Sequence, residues 1–167
     1  MSLIRPCIGI SQCLTRSIVR YDAKTQFNKN LIKELSRHYD LIPICPEVEC
    51  GLGVPRPPVE LIETVTGIRV LGRDNKNLDV SDRLISFSAK KALSLAHLSG
   101  YVFKERSPSC GVNSTPVYDS DGSVKHYSSG IFVEALLKQY PSLPIIDDAG
   151  LKTREQLEDF IRLVSNY

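Results

Sequence analysis

The sequence predicts an α/β fold, in which a mainly parallel sheet is flanked by helices in a Rossmann-like three-layer arrangement with one or two β-hairpin insertions. Two patterns support this prediction. Short apolar segments of strand length alternate along the chain with segments of helical periodicity, as in parallel sheets covered by helices. In addition, two pairs of short apolar segments are separated by turn sequences, which indicates hairpins inserted into that alternation.

The first half of the chain is predicted to begin with a strand, a helix and a second strand. Apolar residues at 4–10 indicate a buried strand, and apolar residues at helical spacing indicate a helix over 27–38. A second strand is predicted at 41–44 and is ended by Pro46. Residues 45–58, rich in Pro and Gly, are predicted to form an irregular functional loop, because long loops in compact domains usually carry function.

The two predicted hairpins interrupt the alternation. One is predicted from strands at 59–64 and 68–71, joined by a Thr-Gly turn. The other is predicted over 117–127, where Asp121-Gly122 favours a tight turn.

The other elements of the second half continue the alternation of helices and strands. They are predicted as a helix over 81–98 ended by Gly100, a strand over 101–103, a helix over 131–139 and a strand over 143–146. Thr153 and Gln156 have the spacing of a capping box, so the last helix is predicted to begin after Thr153.

Length and composition indicate one globular domain covering residues 1–167. The apolar content of 42% and charged content of 24% are those of ordinary globular proteins, and the net charge of +2 is too small to indicate a nucleic-acid partner. The apolar run near the N-terminus is too short for a signal peptide, and no segment is long enough to span a membrane. We therefore expect a cytoplasmic protein with no nucleic-acid or membrane partner.

Cysteine usage points to metal or thiol chemistry. Five cysteines, an odd number, fit a disulfide scaffold poorly, and the cytoplasm keeps thiols reduced. Cys13, Cys45 and Cys110 each follow a predicted strand. Because ligands of open α/β sheets bind beyond the carboxyl ends of the strands, we expect these three thiols to meet at one edge of the sheet. Three thiolates suit an iron–sulfur cluster or zinc and leave one metal position open for a substrate.

Four sequence segments carry a resemblance to a known family. They are CLTRSIVRYDA, CPEVECGLGVPRPPVE, SPSCG and IIDDAGL, which occur in this order between Cys13 and Leu151. Together they resemble the signature of the thiouracil desulfidase family, formerly a conserved domain of unknown function. The resemblance covers the catalytic domain, and we expect no further C-terminal domain.

The resemblance implies an iron–sulfur enzyme. It implies a 4Fe-4S cluster held by Cys13, Cys45 and Cys110, with one open iron that takes the sulfur of a thiolated pyrimidine such as 2-thiouracil. Glu47 would be the acid–base residue and Ser107 the serine on the substrate side. The reaction would give uracil and sulfide without net electron transfer, and the partner would be a small thiolated base.

Further residues are candidates for accessory roles. Cys50 occupies a position where the family motif usually has glycine, so it could be a fourth ligand, a store for released sulfur or a small buried residue. Arg20, Tyr21 and Asp22 are candidates for the pocket wall. Arg56 lies between two prolines, where it suits either an anionic group or an internal salt bridge.

Two alternatives to the desulfidase prediction remain open from the sequence. One is an iron–sulfur or sulfur-carrier module without turnover, which would need the three thiols but neither Glu47 nor Ser107. The other is a zinc- or thiol-dependent hydrolase with Cys45 or Cys110 as nucleophile, for which the motifs supply no histidine base.

Overall fold

The computed structural model describes residues 5–167, and the α/β prediction is confirmed. The strands are β1 (Cys7–Ser11), β2 (Asp40–Ile44), β3 (Val59–Thr64), β4 (Gly67–Gly72), β5 (Leu98–Phe103), β6 (Thr115–Tyr118), β7 (Val124–Ser128) and β8 (Ile145–Asp147). The helices are α1 (Lys29–His38), α2 (Pro46–Glu49), α3 (Ser81–Leu93), α4 (Ile131–Gln139) and α5 (Arg154–Ser165). Among the described residues, no helix combines the length and the apolar character that crossing a membrane requires.

Four strands form a parallel sheet in the order β2-β1-β5-β8, with helices on both faces. On one face, apolar side chains of β1 and β5 pack against α1 and α5, as Ile10 does with Leu35 and Phe160 in one buried cluster. On the other face, Tyr101 and its strand neighbours pack in a cluster with α3 and α4. These layers are the three predicted from the sequence.

A glycine in β1 makes room for an aromatic residue of β5. Gly9 is paired with Tyr101, and a Cβ atom at residue 9 would overlap the Tyr101 ring. The ring therefore lies flat over β1, where it stacks on Phe103 with 3.9 Å between ring centroids. This packing fills the sheet face beneath the carboxyl ends of the strands.

The two predicted hairpins are confirmed, and they combine into a second sheet. Its order is β4-β3-β6-β7, with antiparallel pairs at both sides and a parallel pair of β3 and β6 at the centre. The sheet shares a buried cluster with α3, in which Leu61, Val70 and Val117 surround Leu84. The hairpins were expected as separate insertions, so their pairing is a new feature.

Several predicted boundaries were wrong. Helix α3 ends at Leu93 and not at 98, because residues 98–103 are needed as the central strand β5. Gly100 therefore lies inside a strand, where a Cβ atom would lie 2.8 Å from a methyl group of Val164. The segment predicted as wholly irregular contains the short helix α2, and the strand predicted at 143–146 is β8.

The two ends of the chain fit the predictions more closely. The first predicted strand is β1, shifted toward its carboxyl end, and Ile4 lies outside the described residues. The capping box at the start of α5 is confirmed, since the Thr153 side chain accepts from Gln156 N and the Gln156 side chain accepts from Thr153 N.

Candidate functional site

The three predicted thiols line one cavity at the carboxyl edge of the parallel sheet. Cys13 follows β1, Cys45 follows β2, and Cys110 lies on the loop after β5. These three strands are neighbours, so their carboxyl ends open on the same edge. The cavity has a volume of about 390 Å³ and is lined by all three cysteines. The predicted convergence is therefore present in the structure.

Local backbone structure presents each thiol. Cys13 is the middle residue of a short 3-10 turn, Gln12–Leu14, and Cys45 precedes the first residue of α2. Cys110 lies in a tight turn in which the Ser107 carbonyl accepts from Cys110 N at 3.2 Å and from Gly111 N at 2.9 Å. Each thiol is thus carried by a hydrogen-bonded turn directly above the sheet.

The start of α4 supports the loop that carries Cys110. The N–H groups of Ile131 and Phe132 donate to the carbonyls of Pro108 and Ser109 at 3.0 Å. Gly130 allows this close approach, since a Cβ atom there would overlap Ser109 and lie 2.5 Å from Cys110 N. The loop and the helix therefore hold each other in place.

Burial keeps the three thiols protonated when no metal is bound. Burial and the nearby Cys45 thiol raise the pKa of Cys13 to about 12. Burial also raises the pKa of Cys45, and it raises the pKa of Cys110 well above its ordinary value. A nucleophilic cysteine needs the opposite shift, whereas a metal ligand loses its proton on binding.

Glu47 lies in the same cavity, fixed by two partners. Its Oε2 atom accepts a hydrogen bond from Arg56 Nε at 2.9 Å and lies 2.8 Å from Arg56 Nη2 in an ion pair. Its Oε1 atom accepts from the Ser109 hydroxyl at 2.9 Å. The Arg56 and Glu47 side chains are 5% and 11% exposed, so this is a buried ion pair. Oε2 faces the guanidinium of Arg56, whereas Oε1 has the neutral Ser109 hydroxyl as its partner and keeps a lone pair that can accept a proton.

The Ser107 hydroxyl also faces the cavity. It accepts hydrogen bonds from the N–H groups of Ser109 and Cys110, both at 3.2 Å. A serine hydroxyl has two acceptor lone pairs and one donor proton. Its proton is therefore available to a bound molecule.

Arg56 connects the loop after β1 to the loop after β2. Besides Glu47, its guanidinium donates to the carbonyls of Val19 and Gly53, both at 2.8 Å. Its backbone N–H donates to Tyr21 O at 2.9 Å. Of the two roles left open by the sequence, the structure shows the internal salt bridge.

The other accessory residues divide between the cavity wall and its surroundings. Arg20 and Tyr21 line the cavity, and the Arg20 guanidinium lies 5.4 Å from the centre of the Tyr21 ring. Asp22 pairs with Arg20 at 3.3 Å. Cys50 caps the end of α2, where its thiol donates to the Glu47 carbonyl at 3.3 Å and packs with apolar residues of the second sheet. Within residues 5–167, the side chains that line the cavity do not include Cys50.

The structure adds four residues that the sequence interpretation missed. Ser109 donates a hydrogen bond to Glu47, and Ser11 is buried in the cavity wall. Lys104 also lines the cavity, where it pairs with Asp148 at 3.0 Å. Ser11 ends β1, and Lys104 and Asp148 come directly after β5 and β8, which is a signal that the strand-end rule could have used. Ser109 lies further along the loop after β5 and carries no such signal.

The donor set fits an iron–sulfur cluster. All five cysteines are free thiols, and three of them surround a cavity with a carboxylate and a hydroxyl in its wall. Soft sulfur donors of this kind are the usual ligands of such clusters. Among the residues that the structure describes, no three His, Cys, Asp or Glu side chains are grouped closely enough to hold a single metal ion.

Comparisons with known proteins point to one family. The model of the 2-thiouracil desulfurase family matches residues 8–148. The protein YbbK of Bacillus subtilis (strain 168) is 32% identical over 146 residues, which cover 83% of this chain and 90% of YbbK. The solved structure of TudS, described as a 4Fe-4S-dependent thiouracil desulfidase, is similar with a TM-score of 0.71 and 26% identity, covering 98% of this chain and 100% of TudS. This chain belongs to the 2-thiouracil desulfurase family.

Proposed function

We propose that this protein hydrolyses the C=S bond of a thiolated pyrimidine such as 2-thiouracil, giving uracil and sulfide without net electron transfer. The cofactor would be a 4Fe-4S cluster held by Cys13, Cys45 and Cys110. The observation that carries the proposal is that these three thiols line the same cavity as a doubly anchored carboxylate, Glu47. The similarity to TudS, which is described as 4Fe-4S-dependent, supports the choice of cofactor.

When bound, the cluster would supply a sulfur-seeking Lewis acid at an iron that has no protein ligand. Residues of the protein would accept the proton of the attacking water and hydrogen-bond the substrate. Glu47 Oε1 would accept a proton from the attacking water, since Oε2 is occupied by Arg56. The Ser107 hydroxyl would donate a hydrogen bond to a ring atom of the pyrimidine and so orient the ring.

The geometry favours this proposal over the two alternatives. A carrier module needs thiols alone, whereas this cavity also holds a carboxylate in a fixed position between Arg56 and Ser109. A thiol nucleophile needs a lowered pKa, whereas burial raises the pKa of both Cys45 and Cys110. The zinc alternative is decided by the metal content of the purified protein.

The test is sulfide release from 2-thiouracil by protein purified and loaded with iron and sulfide under anaerobic conditions. We expect release by the wild type and a loss of at least about 100-fold in Glu47→Ala, with iron content unchanged. Glu49→Ala is the matched control, because Glu49 lies on the same short helix but pairs with Lys91 at 2.7 Å. A loaded wild type that releases no sulfide from thiolated pyrimidines would contradict the proposal.

A further inference from the structure

The side chain of Gln12 belongs to the cavity wall, and its hydrogen-bonding groups are unused. Gln12 comes directly before Cys13 and, like Cys13, lines the cavity. It is half-buried, and within residues 5–167 its side-chain amide has no hydrogen-bond partner. A primary amide carries one acceptor oxygen and two donor protons. Gln12 therefore offers a free acceptor and a free donor side by side to a molecule in the cavity.

The backbone around Gln12 is held in place by hydrogen bonds. The Gln12 carbonyl accepts from Thr15 N at 3.0 Å and from the Thr15 hydroxyl at 2.6 Å, which closes the 3-10 turn Gln12–Leu14. The next carbonyl, Cys13 O, accepts from Gln26 N at 2.9 Å. A recognition group on a fixed backbone loses less conformational entropy when a ligand binds. The position of Gln12 is thus suited to recognising a ligand.

The charged side chains of the cavity wall do not offer the same pair of groups. Most of them are held by partners within the protein, as in the pairs Glu47–Arg56, Lys104–Asp148, Arg20–Asp22 and Arg73–Asp74. Arg106 also lines the cavity, but a guanidinium has donors only. Ser107 has a single proton to donate. An adjacent donor and acceptor on a bound molecule are therefore matched best by an amide.

A thiolated pyrimidine has such an adjacent pair beside its sulfur. In 2-thiouracil the N3–H group lies between the C=S bond and the C4 carbonyl, so one edge of the ring presents a donor next to an acceptor. Asn and Gln side chains bind base edges of this kind through two hydrogen bonds. The proposed function puts the sulfur of the base at the three thiols, and Gln12 adjoins one of them, Cys13. The N3 edge is then the edge that Gln12 is placed to bind.

We propose that Gln12 is a specificity-determining residue whose amide binds the N3–H and C4 carbonyl of the pyrimidine, so that the substrates are thiolated pyrimidines unsubstituted at N3. This inference rests on the proposed function for the class of ligand. The Gln12 oxygen accepts from N3–H, and its NH₂ group donates to the carbonyl. A methyl group at N3 removes the donor and occupies the space of the hydrogen bond.

The test is calorimetric titration of anaerobically loaded protein with uracil, which keeps this edge, and with 3-methyluracil, which lacks it. The wild type should bind uracil at least about 10-fold more tightly, as expected for a bidentate contact. In Gln12→Ala, which removes both the amide and the crowding at N3, this preference should disappear. A wild type without the preference, or a Gln12→Ala variant that keeps it, would overturn the inference.

A control variant and a second assay complete the test. Gln26 also lines the cavity but is exposed, so Gln26→Ala should keep the preference for uracil. Equal loss in both variants would overturn the assignment to Gln12. Sulfide release from 2-thiouracil is measured on the same preparations. A wild type that shows the preference but releases no sulfide would contradict the proposed function alone, whereas one that releases sulfide and binds both bases equally would overturn this inference alone.

Discussion

Ser109 and Glu47 are joined by a hydrogen bond inside the cavity, with 2.9 Å between Ser109 Oγ and Glu47 Oε1. The bond connects the loop that carries Cys110 to the loop that carries Cys45. Because both partners lie within two residues of a predicted ligand, the carboxylate and the thiols are held in one relative position.

Ser109→Ala should lower the rate of sulfide release by about 10-fold while leaving the iron content unchanged. Glu47 Oε1 would lose its fixed orientation, whereas Oε2 would keep its ion pair with Arg56. Steady-state kinetics on loaded protein check this, with iron measured on the same samples. Ser88→Ala, a buried substitution on α3, is the control. An unchanged turnover number would show that Ser109 does not position Glu47.

Arg56→Met should reduce the free energy of unfolding of the cluster-free protein by about 3 kcal/mol. It would leave the buried Glu47 carboxylate without its cation, and breaking a buried pair in this way is strongly destabilising. Urea unfolding under reducing conditions measures the change. Arg154→Ala removes an exposed pair with Glu158 and should leave the free energy of unfolding nearly unchanged, because solvent screens exposed pairs. Equal effects of the two substitutions would contradict the prediction.

Gly130→Ala should prevent stable iron binding. Its Cβ atom would overlap Ser109 and crowd Cys110 N, so the loop that carries Cys110 must move. Iron content after anaerobic loading is the measurement. Gly67→Ala, at the first residue of β4, should cost about 1 kcal/mol because Gly67 has φ +111°, yet it should retain iron. Normal iron binding by Gly130→Ala would show that the loop tolerates this displacement.

The cluster-free protein should lose stability as the pH rises above about 9. An unfolded cysteine loses its proton near pH 9, whereas folded Cys13 keeps it because burial and Cys45 raise its pKa to about 12. Over this interval the folded state binds more protons than the unfolded state, so each pH unit costs up to about 1.4 kcal/mol for this thiol.

Comparison with Cys13→Ala isolates this contribution. From pH 8.5 to 11, the free energy of unfolding of the wild type should fall steadily relative to that of Cys13→Ala. Urea titrations with reductant present measure both values. Parallel pH profiles for the two proteins would contradict the pKa shift of Cys13.

The convergence of the three thiols on one edge of the sheet could be predicted from the sequence, because it needs only a general rule of topology. Cys13, Cys45 and Cys110 each follow a short apolar strand, and parallel strands share a carboxyl edge. The contacts that hold the site needed the structure. The sequence motif contains two serines near Cys110, and nothing in it indicates that Ser109 binds Glu47 while Ser107 accepts from the backbone.

Errors in the predicted fold arose where long-range packing overrides local pattern. Apolar residues continue at helical spacing past Leu93, so the end of α3 could not be seen without the strand β5 that follows it. Gly100 was interpreted as a helix stop, but it makes space for α5 against the sheet. The pairing of β3 with β6 joins segments about 55 residues apart, and local sequence carries no signal for such a contact.

The most direct test of the central claim is the iron content of single cysteine variants after anaerobic loading. We predict about four irons per chain in the wild type and in Cys50→Ala, and loss of the iron and of the brown colour in the alanine variants of Cys13, Cys45 and Cys110. Full iron retention in all three of those variants would contradict the claim that these thiols hold one cluster.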